Sequence, residues 1–223
     1  GMTCSKEGET FSKRLFPDAL WVEYVDAGYT LCMVLKDRID RYKREFGKIP
    51  KIIMLKNHGI FVSGDTADEI RLLYSHIMNS LRKEYDRLQI NEDLGLSEGE
   101  RNSEVEYRLS SVFKEDAAFI QSCEFFECVP GPITPDHLVY ARAFPFSEEL
   151  TQENADAYRA KHGFAPKVVI QENRVYGLGK TEKNARLALL FAQDGAQILK
   201  LSQAFGGIEY LSERARKFIE NWE

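Results

Sequence analysis

The chain has 223 residues, of which 43% are hydrophobic and 29% charged, and its formal net charge is −5 at pH 7. This composition is that of a globular protein with enough apolar content for a sizeable core, so it excludes a disordered chain. A mildly acidic sequence without a basic face or an apolar run of about 18 residues predicts no nucleic-acid partner and no membrane partner. The polar start of the chain is unlike a signal peptide, and we therefore expect a cytoplasmic protein.

The cysteines occur singly along the chain. No Cys-x-x-C pair occurs among Cys4, Cys32, Cys123 and Cys128, and the closest two are separated by four residues. A structural zinc site commonly uses two close pairs of cysteine or histidine ligands. In a protein without a signal peptide this spacing predicts reduced thiols instead of a zinc knuckle or a disulfide framework.

The sequence also contains an internal repeat of about 115 residues. Residues 44–53 (REFGKIPKII) and 160–169 (AKHGFAPKVV) share Gly-x-x-Pro-Lys followed by two β-branched residues. Two further pairs match in the same order, residues 16–24 with 134–142 and residues 60–73 with 175–188. The offsets of the three pairs differ by only a few residues, which favours a duplication over chance.

The first copy of the repeat begins with an amphipathic helix. Its apolar residues Leu31, Leu35, Ile39 and Tyr42 recur at three- and four-residue steps. Gly47 is well placed to end this helix, because glycine adopts the left-handed conformation common just after a helix. The second copy has the same Gly-x-x-Pro signal before its first strand.

Two short strands and a second helix follow in each copy. The predicted strands are residues 52–55 and 60–62 in the first copy and residues 168–170 and 175–176 in the second. Thr66 and Thr181 stand where a helix N-cap belongs. A short turn makes each pair of strands an antiparallel hairpin, and the flanking helices predict an α/β fold. We expect a layered αβα sandwich built from two related helix–hairpin–helix units.

The remaining segments suggest where the domains end. Residues 90–122 begin as an acidic loop and continue with helical spacing from Val105 to Ile120, while residues 207–223 predict a terminal helix. Ser212 is the expected cap of that helix, and Phe218, Ile219 and Trp222 form its apolar edge. The predicted domains are residues 1–88, a helical linker over 89–130, and the second repeat over 131–223.

The two copies differ at the hairpin turn. The first copy has residues 56–59 (Lys-Asn-His-Gly), whereas the second has residues 172–174 (Glu-Asn-Arg) and is one residue shorter. A histidine at the tip of a hairpin, next to a glycine that allows close approach, is a candidate metal ligand, and His58 is this candidate. The alternative is that its ring hydrogen-bonds a neighbouring carbonyl. The other histidines are weaker candidates: His76 on a helix, and His137 and His162 in polar loops.

The segment LKNHGIFVSGDTADEI (55–70) resembles the His-Gly strand–turn–strand signature of the class II aldolase/adducin superfamily. The similarity extends through ALWVEYVDAGYTLCMVL (19–35), where this family has a strand, a Tyr-x-x-x-Gly turn and a helix. The later segments are most similar to the rhamnulose-1-phosphate aldolase part of aldolase/short-chain dehydrogenase-type proteins. The resemblance covers nearly the whole chain and implies an αβα sandwich of the class II aldolase type.

This resemblance implies a metal-dependent retro-aldol cleavage of a ketose 1-phosphate such as rhamnulose or fuculose 1-phosphate. The cofactor would be a divalent metal, usually zinc, held by a His-x-His pair and by the histidine that His58 matches. The sequence contains no His-x-His and no histidine before His58, so we expect an N-terminally truncated family member without a complete site. No catalytic residue is assigned. The partners implied are a sugar phosphate and further copies of the chain in a homo-oligomer.

Two other functions remain open at this point. The chain could be a non-catalytic aldolase/adducin-like module for binding or assembly, or a small-molecule or cation-binding protein that uses His58 with water and nearby carboxylates. Tyr24 and Tyr29 lie beside His58 in the family arrangement, where either could face a substrate or be a buried, hydrogen-bonded tyrosine.

Overall fold

The computed structural model describes residues 1–97 and 99–221. It is a mixed structure, 52% helical and 14% strand, with small sheets, so the predicted combination of helix and sheet is confirmed. The chain divides into two compact units, which we call unit 1 (Gly1–Glu92 with Ile198–Glu223) and unit 2 (Asp93–Gln197). None of the described helices is both long and apolar enough to cross a bilayer.

Unit 1 is organised around a three-stranded sheet in the order β1-β2-β3. Strands β1 and β2 are parallel, with Leu20 opposite Ile53, and β2 and β3 form an antiparallel hairpin. Its elements are α1 (Gly8–Leu15), β1 (Leu20–Val22), α2 (Tyr29–Phe46), β2 (Ile52–Leu55), β3 (Gly59–Val62), α3 (Ala67–Arg87) and α8 (Glu213–Glu220).

Both faces of this sheet carry a helix. On one face Val34, Leu35 and Ile39 of α2 contact apolar residues of β1 and β2. On the other face Leu73 and Ile77 of α3 join the larger core cluster with alternate residues of the hairpin. The two-residue period of the strands and the helical period of α2 and α3 therefore bury complementary stripes.

Unit 2 contains a second three-stranded sheet in the order β4-β6-β5, and all its pairings are antiparallel. Its elements are α4 (Ser103–Phe113), β4 (Phe119–Glu124), α5 (Pro135–Tyr140), α6 (Gln152–His162), β5 (Val168–Gln171), β6 (Arg174–Gly179) and α7 (Glu182–Ser202), whose last residues lie beyond the boundary of the unit. Ala155 and Tyr158 of α6 contact one face of the sheet, and Leu189 and Ala192 of α7 contact the other.

The predicted helix–strand–turn–strand–helix order is present in both units, as α2-β2-β3-α3 and α6-β5-β6-α7. Gly47 and Gly163 both end their helices in the left-handed conformation. Thr66 caps α3 by accepting a hydrogen bond from the Glu69 amide, and Thr181 accepts one from the Asn184 amide at the start of α7. The predicted caps are therefore confirmed in both copies.

Tertiary hydrogen bonds repeat as well. The Tyr42 hydroxyl donates to the Asp18 carbonyl at 2.9 Å, and the Tyr158 hydroxyl donates to the Phe144 carbonyl at 2.6 Å. An amide near the end of the second hairpin strand also makes the same bond in the two units. Ser63 donates to the carbonyl of Lys51, and Leu178 donates to the carbonyl of Lys167. These paired bonds establish which residues of the two units are equivalent.

The match between residues 16–24 and 134–142 does not extend to structure. Residues 20–22 form strand β1, whereas Pro135–Tyr140 is helix α5, capped by the hydroxyl of Thr134. Proline near the first turn and a threonine cap favour a helix, so the shared Pro-Asp-x-Leu letters occur in different local structures.

The structural equivalent of β1 in unit 2 is a single residue. Phe146 forms a parallel bridge with Val169, just as Leu20 pairs in parallel with Ile53. Its amide donates to the carbonyl of Val168, and its carbonyl accepts from the amide of Ile170. The true offset of this part of the repeat is therefore larger than the one read from Pro-Asp-x-Leu.

The predicted helix over Val105–Ile120 is wrong in its second half. Helix α4 ends at Phe113, and Phe119–Glu124 is strand β4, which pairs antiparallel with β6 along its whole length. Pairing with a long partner strand overrides the local helical spacing. His137 and His162, predicted in loops, lie within α5 and at the end of α6.

The C-terminal segment belongs to unit 1. Ser5 and Ile208 form an antiparallel bridge, and the Glu209 amide donates to the Cys4 carbonyl. The units therefore differ from the predicted domains of 1–88 and 131–223, since residues from Ile198 onward are grouped with the first copy and residues 93–130 with the second. The predicted cap Ser212 is confirmed, while Trp222 lies outside the described residues.

Candidate functional site

The His58 turn lies at the carboxyl ends of the parallel strands β1 and β2, an edge where α/β proteins commonly place their sites. Leu55 pairs with Gly59, so the turn has three residues. Asn57 has φ of 54° and Gly59 has φ of 137°, two backbone conformations that side chains with a branched Cβ disfavour. A Cβ added at Gly59 would meet nothing within 4 Å, so the glycine satisfies the backbone and also leaves open space beside His58.

The His58 ring is fixed by two contacts. Its Nε2 lies 2.8 Å from the Val25 carbonyl oxygen, and its ring stacks on Tyr24 at 5.2 Å between centroids and 10° between planes. A carbonyl can only accept, so Nε2 carries the proton in this bond and Nδ1 is the unprotonated nitrogen of the neutral ring. The predicted alternative, a ring bonded to a neighbouring carbonyl, is therefore what the structure contains. A metal-binding histidine makes the same kind of second bond, so the metal role stays a prediction.

Tyr24 remains a neutral phenol at physiological pH. Burial and the neighbouring Asp26 carboxylate raise the pKa of Tyr24 to about 12, although the charge of Arg214 opposes this shift. Asp26 itself forms a forked ion pair with Arg214, at 2.8 and 3.3 Å. Tyr29, the second tyrosine considered, is 79% exposed at the start of α2 and makes no contribution to the stack.

Lys56 is held between two carboxylates. Its ammonium lies 3.2 Å from Glu23 and 3.1 Å from Glu209. Burial disfavours the charged form, but hydrogen bonds to Glu209 and Glu23 outweigh it and raise the pKa of Lys56 above its usual value. Lys56 is therefore a permanent cation near neutral pH, and it neutralises part of the negative charge around the turn.

Asn57 ties the turn to two distant segments of unit 1. Its amide donates to the Thr3 carbonyl, and its side-chain amide donates to the Glu209 carbonyl at 2.9 Å. The residue is almost fully buried. The position of the His58 ring is thus determined by contacts from both ends of the sequence, which makes the turn a rigid platform.

The residues around the turn do not by themselves fit a divalent metal. Within the part of the chain that the structure describes, no group of three histidine, cysteine or acidic side chains could hold one. The nearby carboxylates of Glu23, Asp26 and Glu209 are bound to Lys56 and Arg214. His58 therefore supplies at most one ligand.

The other histidines serve packing. His137 is buried, with Nδ1 2.8 Å from the Thr134 hydroxyl and Nε2 3.1 Å from an Asp194 carboxylate oxygen. His76 contacts the edge of the Phe16 ring, and His162 packs against aromatic rings of unit 2. Of the cysteines, Cys4 and Cys123 are buried, Cys128 is partly buried and Cys32 is exposed.

Several residues of the site carry no sequence signal. Asp26 and Arg214 are 188 positions apart, and Glu209 is 152 positions from Asn57. Nothing local distinguishes these charged residues from solvated ones, and only the return of the C-terminal segment to unit 1 brings them to the turn.

No family model, curated protein or solved structure matches the chain. Function is therefore inferred from the residues of the site and from the motifs of the sequence.

Proposed function

We propose that the chain is the His-Gly part of a class II aldolase/adducin-like protein, with an αβα sandwich of that type. In the intact protein, His58 would be one of the imidazole ligands of a divalent metal, usually zinc. The reaction would be the retro-aldol cleavage of a ketose 1-phosphate such as rhamnulose or fuculose 1-phosphate. The chain on its own would lack a complete site.

The observation that carries this proposal is the hydrogen bond between His58 Nε2 and the Val25 carbonyl. Histidines that bind metals usually donate their other N–H to a carbonyl or carboxylate, which fixes the tautomer and the ring orientation. Here the bond and the Tyr24 stack orient the ring so that Nδ1 is the nitrogen left for coordination. The strand, Tyr-x-x-x-Gly turn, helix and hairpin occur in the order that the resemblance implies.

One imidazole does not make a catalytic zinc site, which keeps three protein ligands and one open position. The remaining ligands would have to come from another segment or another chain. Copy two offers no substitute, because the turn of β5 and β6 is followed by Arg174, a permanent cation. We therefore derive no catalytic step from the described residues.

An aldolase/adducin-like module without catalysis is the second candidate. Unit 1 exposes several large apolar side chains on its helices, among them Met33, Leu72 and Met78. Such side chains mark an association surface where they form one contiguous patch. Assembly into a homo-oligomer is part of either function, so association alone does not separate the two.

The test combines metal binding with cleavage. Calorimetric titration of the chain with Zn²⁺ is expected to show weak binding that His58→Ala reduces further, and assays with rhamnulose 1-phosphate and fuculose 1-phosphate should show no cleavage. If the natural reading frame encodes a His-x-His pair ahead of residue 2, the longer protein should bind zinc stoichiometrically and cleave. His58→Ala should then lower cleavage by at least about 100-fold, since even indirect partners of a metal contribute that much.

His162→Ala is the matched control, because it removes an imidazole from unit 2 and should leave zinc binding and cleavage unchanged. Metal-dependent cleavage by the 223-residue chain, abolished in His58→Ala, would show that the site is complete after all. A longer protein that binds no zinc and cleaves neither substrate, yet assembles in sedimentation experiments, would favour the non-catalytic module.

A further inference from the structure

Unit 1 contains a cavity of about 620 Å³ at the edge of its sheet opposite the His58 turn. It opens beside Lys51 and Ile52, where β2 begins, and beside Ser63, just after β3 ends. The side chains of Phe16 and Leu73 add to its apolar wall. Pockets for small molecules typically have volumes of about 300–1,000 Å³ and mostly apolar walls, so this one has the size and the lining of a binding site.

Unit 2 has a much smaller space near part of the equivalent place. The space bounded by Arg142, Val168 and Phe191 measures only about 30 Å³, roughly the share of one water molecule. Val168 is equivalent to Ile52, because each is the first residue of its strand after the shared Pro-Lys. Phe191 is equivalent to His76, because each lies ten residues after its capping threonine. Ile52 and His76 of the unit 1 cavity therefore have equivalents that border this much smaller space in unit 2.

The two copies also carry different types of side chain at four positions of the cavity. Four polar residues at the unit 1 cavity have apolar equivalents in unit 2: Lys48 corresponds to Phe164, Asp18 to Phe144, Ser63 to Leu178 and His76 to Phe191. Phe164 packs against the apolar core of unit 2, and Leu178 is fully buried there. The four unit 1 side chains are exposed, so they leave the cavity open to a ligand from solvent.

We propose that the unit 1 cavity binds a small molecule with a flat apolar body and one anionic group. The body would lie against Phe16, Ile52 and Leu73. The anionic group would pair with Lys48, whose present partner is Asp18 at 3.1 Å with side-chain exposures of 56% and 80%. An ion pair this exposed contributes little to stability, so a ligand anion can replace the aspartate. Lys51 on the same rim is paired with Glu69, which leaves Lys48 as the lysine proposed to meet the anion.

The experiment uses two fluorescent probes with the same rings. 8-Anilinonaphthalene-1-sulfonate carries the anionic group, and N-phenyl-1-naphthylamine lacks it. Both are expected to bind the folded chain. The double variant Lys48→Phe/Ser63→Leu, which installs the residues of unit 2, should weaken both probes by at least about tenfold because the apolar body loses its space. Lys36→Phe, the same change at an exposed lysine of α2 outside the cavity, should weaken neither.

A second variant separates the charge from the volume. Lys48→Glu should weaken the sulfonate probe by about fivefold or more and leave the neutral probe unchanged, while Lys36→Glu changes neither. If circular dichroism shows that the double variant does not fold, Lys48→Glu still tests whether the sulfonate probe binds beside Lys48. Unchanged affinity of both probes in the folded double variant would overturn the cavity as a site. Equal effects of Lys48→Glu on the two probes would overturn its preference for an anion.

Discussion

The two hairpins have the same ladder and the same flanking helices, but they differ in how far they are covered. Five of the six residues of β6 are buried, whereas no residue of β3 is. Tyr176 is fully buried, while its equivalent Phe61 is 53% exposed. Strand β4 pairs along β6, and α4 adds Leu109 and Phe113 to the same core cluster.

The features that both copies share can be distinguished from those that only one copy has. The hydrogen bonds of Tyr42 and Tyr158 and the glycine and threonine caps are common to both copies, so they belong to the scaffold. The less covered copy keeps His58 and the open cavity. The covered copy has a two-residue turn and an apolar core where these features would be. Unit 1 therefore has the more open surface, on which the proposed sites lie, and unit 2 has the more complete core.

Truncation of the equivalent strand residues should give the largest contrast. Tyr176→Ala is expected to lower the free energy of unfolding by about 3–5 kcal/mol, because it leaves a cavity in a closed core. Phe61→Ala should lower it by less than about 1 kcal/mol, because the exposed ring has little burial to lose. Urea denaturation of both variants measures the two losses of unfolding free energy. Equal losses would contradict the difference in burial between the two hairpins.

The equivalent residues Lys51 and Lys167 should change the stability of the protein with pH in opposite directions. Burial, followed by the charge of Arg142, lowers the pKa of Lys167 to about 8, whereas the hydrogen bond to Glu69 raises the pKa of Lys51. Between about pH 8 and the ordinary lysine value of 10.5, the unfolded chain holds more protons at Lys167 than the folded chain. Stability from this site therefore rises with pH over that window. For Lys51 the contribution is present below pH 10.5 and is lost as the pH rises through its folded value.

Lys167→Met should accordingly stabilise the protein at pH 7 by about 1–2 kcal/mol after allowance for solvent screening, and the gain should vanish near pH 10.5. Lys51→Met should show no such gain at pH 7. Denaturation of both variants and the parent protein at pH 7, 8, 9 and 10 gives the comparison. A pH-independent effect of Lys167→Met would show that its charge is fully solvated in the folded protein.

Removing the hydroxyls of the equivalent tyrosines should have the smallest effect on stability. The effect should be nearly equal in the two units. Tyr42→Phe and Tyr158→Phe each remove one hydroxyl that donates to a backbone carbonyl, at 2.9 and 2.6 Å. Each is expected to lose about 1 kcal/mol of unfolding free energy, the usual contribution of such a bond. Thermal and urea unfolding of the single and double variants would test this. A large loss in only one unit would mean that the bond is part of the scaffold in that unit alone.

Much of the repeated fold could be predicted from the sequence because its signals are local. Gly47, Thr66 and Ser212 act as caps through their own backbone or side chain, so their roles follow from residue type and position. The hairpins follow from short β-branched runs around a turn. Strand β4 was missed because its structure depends on β6, some 55 residues further along the chain.

The candidate site was predictable only at its centre. The His-Gly pair is visible in the sequence as the point where the copies diverge. The resemblance placed Tyr24 near His58, but the ring stack, the choice of the Val25 carbonyl and the return of Glu209 depend on tertiary structure. The cavity also needed coordinates, since its polar lining reads as ordinary surface until it is compared with the aromatic equivalents in unit 2.

The one-residue difference between the turns has a consequence for how the copies could diverge. A deletion within a strand would turn every later side chain to the opposite face, because strands have a two-residue period. Here the loop shortens from three residues to two, and Phe61 and Tyr176 still occupy the same rung opposite Ile53 and Val169. The turn is thus a place where length can change without altering the register. One deletion in the turn and one substitution, of glycine by arginine, would remove the His-Gly pair while the rest of the sheet kept its register.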